Sequence, residues 1–219
     1  MTLRRFRHAK DDHGATMIEF AIVVALFLSL LFVTVDFGIA FRTKLIVDNG
    51  VQAGARVGAG VGNDIDADLY ILDEFLDGLA ALKNGGTDIL VWVEVYKVES
   101  DGSHSPANTN EYEYKPDGNP ATCDWDPCPK GSTVNIINKP AWDGYVDGYS
   151  GWDWAPDNRN VVLGSLDQIG VTAYYSYDFL TGFMPGTEPA CDVPNTYPTN
   201  CWTEDTILRL EPLQFAVTG

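Results

Sequence analysis

Proline is missing from the first 105 residues; all twelve prolines lie from Pro106 onward. The first part of the chain is therefore free to form long uninterrupted helix, and the later part is expected to hold loops and short strands. Positive charge is also scarce. There are 14 Lys and Arg against 31 Asp and Glu, a formal charge of −17. Through Asp36 four bases (Arg4, Arg5, Arg7, Lys10) balance four acids (Asp11, Asp12, Glu19, Asp36), so the remaining 10 bases and 27 acids place the whole −17 beyond it. Such a surface repels phosphates and disfavours anionic lipid, which excludes DNA and RNA as partners. Histidine is limited to His8, His13 and His104. Ser103-His104-Ser105 lies in a polar stretch without the strand–turn–helix context of a nucleophile. Aromatic residues and acids mix as they would in a glycosidase cleft, but no carboxylate pair is singled out. Catalysis and a cofactor are not expected.

Metal binding is weakly signalled. Asp64-Ile65-Asp66-Ala67-Asp68 opens like a calcium loop, but Leu69 occupies the glycine position and Glu74 falls one place short. The run also starts a convincing helix, where acids favour the dipole. Asp143, Asp147, Asp153 and Asp157, among glycines and tryptophans, offer a divalent-ion or sugar site, or simply an acidic solvated loop, which is the preferred reading. The four cysteines form two close pairs, Cys123/Cys128 and Cys191/Cys201. On the oxidising side of a membrane an even count reads as disulfides, and local pairing is preferred among three connectivities. Zinc is the alternative, against which stand the lack of Cys-x-x-Cys spacing and of a nearby histidine.

One long hydrophobic run is present. Residues 15–35 carry only Thr16, Glu19, Ser29 and Thr34 as polar side chains. About 20 residues at 1.5 Å each cross a bilayer core of ~30 Å. The bases ahead of the run place the N-terminus in the cytoplasm and the remainder outside. A cleaved signal peptide would have a shorter apolar core, and Gly38-Ile39-Ala40 is a poor cleavage site. The expected organisation is a basic cytoplasmic leader (1–14), a transmembrane helix (15–35), a helical extension (36–62) and an extracytoplasmic α+β domain (63–219).

Phe37, Phe41 and Leu45 continue an apolar stripe beyond the membrane. Gly50, Gly54, Gly58 and Gly62 recur every fourth residue, which reads either as a close approach of another backbone or as a frayed helix end. A second helix is predicted over about residues 66–83, with Leu69, Leu72, Phe75, Leu76, Leu79 and Leu82 as its buried stripe and Asn84-Gly85-Gly86 as its stop. Strands are predicted over 89–98, 171–179 and 206–211, with a short one over 134–137. A long insertion, about 100–160, is expected to be an ordered loop without regular structure.

Glu19 is the residue that a plain anchor does not explain. A carboxylate at that depth costs roughly 2.5–3.5 kcal/mol on insertion scales. Gly14 stands five residues ahead of it, at the membrane boundary, where it allows a protease close to the backbone. A cut after Gly14 would give Ala15 a free α-ammonium one helical turn from Glu19, and pairing with it, or with a neighbouring chain's, would relieve the buried charge. The reading that competes is an interfacial carboxylate that snorkels or is protonated.

Gly14-Ala15 with Ile18-Glu19-Phe20-Ala21, the closing Val35-Asp36-Phe37-Gly38, Ala53-Gly54-Ala55-Arg56 and Arg209-Leu210-Glu211-Pro212 together resemble the TadE-like family, minor pseudopilins of the tight-adherence (Tad/Flp) type IV pilus. The resemblance covers roughly residues 4–62 and the last strands, and leaves out the insertion. It implies a type IV pilin-like fold and a single-pass protein of the bacterial inner membrane. It further implies cleavage after Gly14 by a prepilin peptidase, registration of subunits by Glu19 with Phe20 beside it, and other pilins, pseudopilins and the Tad machinery as partners. Major Flp pilins are very short and usually carry Glu-Tyr, so Glu19-Phe20 and a large soluble domain fit a minor pseudopilin better. Arg209 and Glu211 are read as a sheet-surface ion pair in preference to a subunit contact. The rival readings are a static membrane-tethered binding or adhesion domain and, third, an anchored envelope enzyme.

Overall fold

The proline-free first part of the chain is dominated by one helix. In the computed structural model, which describes residues 13–82, 86, 89–114, 125–126, 154–177, 179–181 and 201–212, helix α1 runs unbroken over His13–Val61. Its 49 residues span about 70 Å at 1.5 Å per residue. It stops at Gly62, whose φ of +62° suits glycine and whose N–H reaches the Gly58 carbonyl at 3.1 Å. Gly62 is thus the helix's C-terminal stop, whereas Gly50, Gly54 and Gly58 lie along its packed face.

The two halves of α1 differ. No residue from 16 to 35 is buried. From Asp36 onward a stripe at helical spacing is buried: Asp36, Ala40, Thr43, Val47, Val51, Ala55 and Ala59, with the three glycines between. Phe37, Phe41 and Leu45, the stripe anticipated from their spacing, stay exposed instead. The packed face selects small side chains because another helix backbone lies against it.

That helix is α2, Ala67–Leu79, four residues shorter at its end than its periodicity suggested. Its buried face is Ala67, Asp68, Ile71, Leu72, Phe75 and Leu79. Ile71 was not foreseen there. It fills the glycine seam, its carbonyl beside Gly54 and its side chain beside Gly54 and Gly58.

Among the described residues, five antiparallel strands make one sheet: β1 (Leu90–Val98), β2 (His104–Tyr114), β3 (Trp125–Asp126), β4 (Gln168–Tyr175) and β5 (Trp202–Arg209), in the order β3-β2-β1-β4-β5. The architecture is α+β. Strand β2 lies where an irregular insertion was expected. Its sequence hides it, because polar residues fill it and Pro106 interrupts it. The β1–β2 register shifts between Tyr96 and Val98, opposite residues 105–108, so Pro106 falls where no ladder donor is needed. Strand β4 begins at Gln168 rather than Val171 and ends at Tyr175; β5 begins at Trp202 rather than Thr206. Arg209 closes β5 and Glu211 lies past it, so the expected ion pair between them does not form. Glu211 instead donates its amide to the Ala59 carbonyl at 2.8 Å, tying the end of the described chain to α1. The anticipated 134–137 strand lies outside the described residues, as do Asp143, Asp147 and Asp153.

One sheet face joins the two helices in a core built from Val47, Val51, Ala55, Ile71, Phe75, Val93, Val95, Tyr112, Val171 and Tyr175. Strand β1 is buried on its other face too, where Trp92 stacks on Tyr174 at 4.4 Å. Glu94 sits there only 3% exposed, accepting a 2.9 Å hydrogen bond from the Tyr174 hydroxyl. Burial pushes its carboxyl above the usual range; the Tyr174 bond opposes this, and Glu111 across the ladder adds to it. The penalty is absent below the unfolded value of 4.5 and accrues as pH rises toward the folded one. Glu94→Gln, which keeps an acceptor for Tyr174, is therefore expected to raise the melting temperature at pH 7 and to leave it unchanged near pH 4. Melts of both proteins across that range check this; an equal gain at both ends would remove the electrostatic cause.

Candidate functional site: the bare helix and its attachment to the head

The apolar half of α1 stands free of the head. It is long and apolar enough to cross a membrane, with a mean hydropathy of 2.7 over a window none of which is buried. Gly14 and Ala15 fall in its first turn. Glu19 and Phe20 are exposed on the following turn, and no hydrogen bond or ion pair joins Glu19 to another described residue. Ser29 and Thr34 return their hydroxyls to the Leu26 and Leu30 carbonyls at 2.8 Å, so their polarity is satisfied within the helix. Glu19 is left as the one ionisable side chain on this surface between residues 16 and 35.

Besides the shared core and the Glu211–Ala59 bond, three attachments among the described residues hold the head to the rest of α1. The first is the seam with α2, where a Cβ on Gly78 would lie 2.6 Å from the Gly50 Cα and one on Gly54 would lie 2.8 Å from the Ile71 carbonyl oxygen. The frayed-end reading of these glycines is replaced by a backbone-to-backbone contact within the chain. The second is an ion pair from Lys44 to Glu204 of β5. The Lys44 side chain is about half exposed, so this pair adds little stability. The third is at the start of the packed half. Asp36 is wholly buried and accepts hydrogen bonds from the Thr181 amide at 3.2 Å and from the Thr181 hydroxyl. Phe37 meets Phe179 edge-on at 6.4 Å, and Phe179 in turn joins Tyr177 and Trp202, which stack at 5.3 Å.

A second polar group lies inside the head. Asp68 pairs with Arg159 and accepts from Tyr112 at 2.6 Å and Asn110 at 2.7 Å. Asn110 closes the group by exchanging two hydrogen bonds with the Trp154 backbone. Burial, then the charge and hydrogen bond of Asp68, hold the Tyr112 hydroxyl well above its ordinary range, so it acts as a donor. No local motif announced this cluster, because its members are 42 to 91 residues apart from Asp68.

The other candidates disperse. Asp64 accepts the Asp66 amide in a local turn while Asp68 points into the core, so the calcium-like carboxylates diverge. Ser103 donates to Asp101, and the His104 ring lies tilted against Tyr96 at 4.3 Å. No group of three or more His, Cys, Asp or Glu among the described residues is placed to hold a metal ion. Asp157 lies in a short 3-10 helix, Pro156–Asn158. Cys201 is disulfide-bonded; Cys123, Cys128 and Cys191 lie outside the described residues.

A long helix with an apolar free half, carrying an α+β head on its other half, is the class of protein defined by this geometry. Residues 14–56 match the family model described as TadE-like protein, so the resemblance read from the sequence holds over α1 from its first turn to the α2 seam. The match takes in Glu19, Asp36, Gly50 and Gly54, and it stops short of α2 and the sheet. No curated protein and no solved structure matches the chain.

Proposed function

We propose that the chain is a minor pseudopilin that takes part in Tad/Flp pilus biogenesis, priming, capping or supporting assembly through its N-terminal helix. The observation that carries this reading is the bare half of α1: TadE-like in sequence, unburied throughout, and carrying the single carboxylate Glu19 five residues past Gly14. In this reading residues 15–35 cross the inner membrane once, the basic leader stays in the cytoplasm, and the head lies outside. A prepilin peptidase cuts after Gly14. Glu19 then lies one helical turn from the new N-terminus, where the dipole still favours a carboxylate and the Ala15 ammonium is its nearest cation, on its own chain or a neighbour's. The partners are other pilins and pseudopilins and the membrane-bound assembly machinery. On the outer side the cysteines pair locally, Cys123 with Cys128 and Cys191 with Cys201.

Intact mass of the membrane-extracted protein tests the cut. A chain beginning at Ala15 is expected, and one retaining Met1 would return the protein to the tethered-domain reading. Glu19→Ala is expected to be cleaved normally yet to abolish piliation, whereas Gly14→Val should block cleavage itself. Normal piliation by the Glu19→Ala protein would remove the registration role.

A further inference from the structure

The turn that follows β4 is clamped at one height on α1. Thr181 gives both its amide and its hydroxyl to Asp36, the residue directly after the apolar run. Both carboxylate oxygens of Asp36 accept from Thr181, and the side chain is wholly buried. Phe179 rests against Phe37, and behind them Tyr177 stacks on Trp202. Leu180, between Phe179 and Thr181, is 74% exposed, and Phe37 on the helix is 55% exposed. A lone exposed leucine means nothing by itself. This one is held level with the point where α1 leaves its apolar segment, and it continues an apolar surface from the helix through Phe37 and Phe179. Tyrosine and tryptophan directly behind suit the boundary between hydrocarbon and headgroups, where rings with one polar end are favoured.

We propose that the 179–181 turn is a second membrane contact, with Leu180 and Phe37 seated in the outer boundary of the bilayer that α1 crosses. The occupant is the lipid surface itself. The contact is apolar, because a head that carries the chain's whole −17 gains nothing from anionic headgroups. It rests on the reading of α1 as a membrane span. Its consequence is a head standing on the bilayer at two points, the helix and the turn, with a fixed facing direction.

The test uses the full chain in phosphatidylcholine nanodiscs, with a small polar nitroxide on single introduced cysteines at Leu180, Phe27 and Leu163. No free cysteine among the described residues competes for the label. Leu163 is 80% exposed, beside the Gly62 end of α1, about 40 Å farther along the helix axis at 1.5 Å per residue. Collision with lipid-soluble oxygen against a water-soluble nickel chelate reads each depth. The Leu180 probe is expected to report the headgroup boundary, the Phe27 probe the hydrocarbon, and the Leu163 probe water. Thr181→Val, which loses the hydroxyl donor but keeps the shape, should shift the Leu180 probe toward water and leave Phe27 unchanged, and Thr181→Ser should restore it. A Leu180 probe as water-accessible as Leu163, with Phe27 still in lipid, overturns the contact and leaves the span intact. Water at Phe27 overturns the span, and the contact with it.

Discussion

Asp68→Ala is expected to destabilise the head by about 3–5 kcal/mol, the usual cost of breaking a buried ion pair by removing one partner. The side chains of Asp68 and Arg159 are 1% and 0% exposed. Without the carboxylate the guanidinium keeps its charge in a buried site, over the Trp154 ring at 4.6 Å, where its Nε and Nη1 already have no hydrogen-bond partner among the described residues. Tyr112 loses its acceptor at the same time, and Asn110 keeps only the Trp154 carbonyl for its amide. Against a domain stability of about 5–15 kcal/mol, that loss removes much of the folded population. Chemical denaturation followed by near-ultraviolet dichroism measures it. Replacing both partners, Asp68→Leu with Arg159→Met, should cost far less than Asp68→Ala alone, since an apolar pair strands no charge. A loss below about 1 kcal/mol for the single change would mean that water reaches the cluster.

The second large effect belongs to the helix seam. Gly78→Ala should cost about 1–3 kcal/mol through overpacking, although alanine improves helix propensity by about 1 kcal/mol. Its Cβ would strike the Gly50 Cα, and a backbone atom moves only with its helix. Gly54→Ala meets the Ile71 carbonyl oxygen and should rank next. Gly58→Ala meets mainly the far end of the Ile71 side chain, which can rotate, and should cost least. Thermal melts of the three variants give the order. If the seam instead served contacts between subunits, all three would melt like the parent and fail only in assembly.

These two sites differ in how far the sequence announced them. The seam was visible as a four-residue glycine period, because a helix turns local spacing into a shared face. What the period could not say was which backbone approached, and Gly62 shared the spacing while serving as a stop. The stripe of Phe37, Phe41 and Leu45 had the right period but was left unpacked, since periodicity marks a face and not its occupant. The Asp68 cluster left no trace, being assembled from α2, β2 and residues 154–159 by the fold alone. Strand β2 was hidden by its polar composition and by Pro106, and became legible only through its register against β1. At the other end of the chain, Glu19 stood out because a membrane-length segment leaves few explanations for a carboxylate.

The continuity of α1 has a mechanical side. A helix with no break between its first turn and Gly62 transmits an axial pull on its N-terminal half directly to the head. The seam with α2, the Lys44–Glu204 pair and the contacts to β4 and β5 run alongside that axis, so the load falls on them together, in shear. The Asp36–Thr181 clamp, nearest the pulled end, is one of the contacts so loaded. An axial pull on the helix would therefore load these contacts together and carry the head along with it.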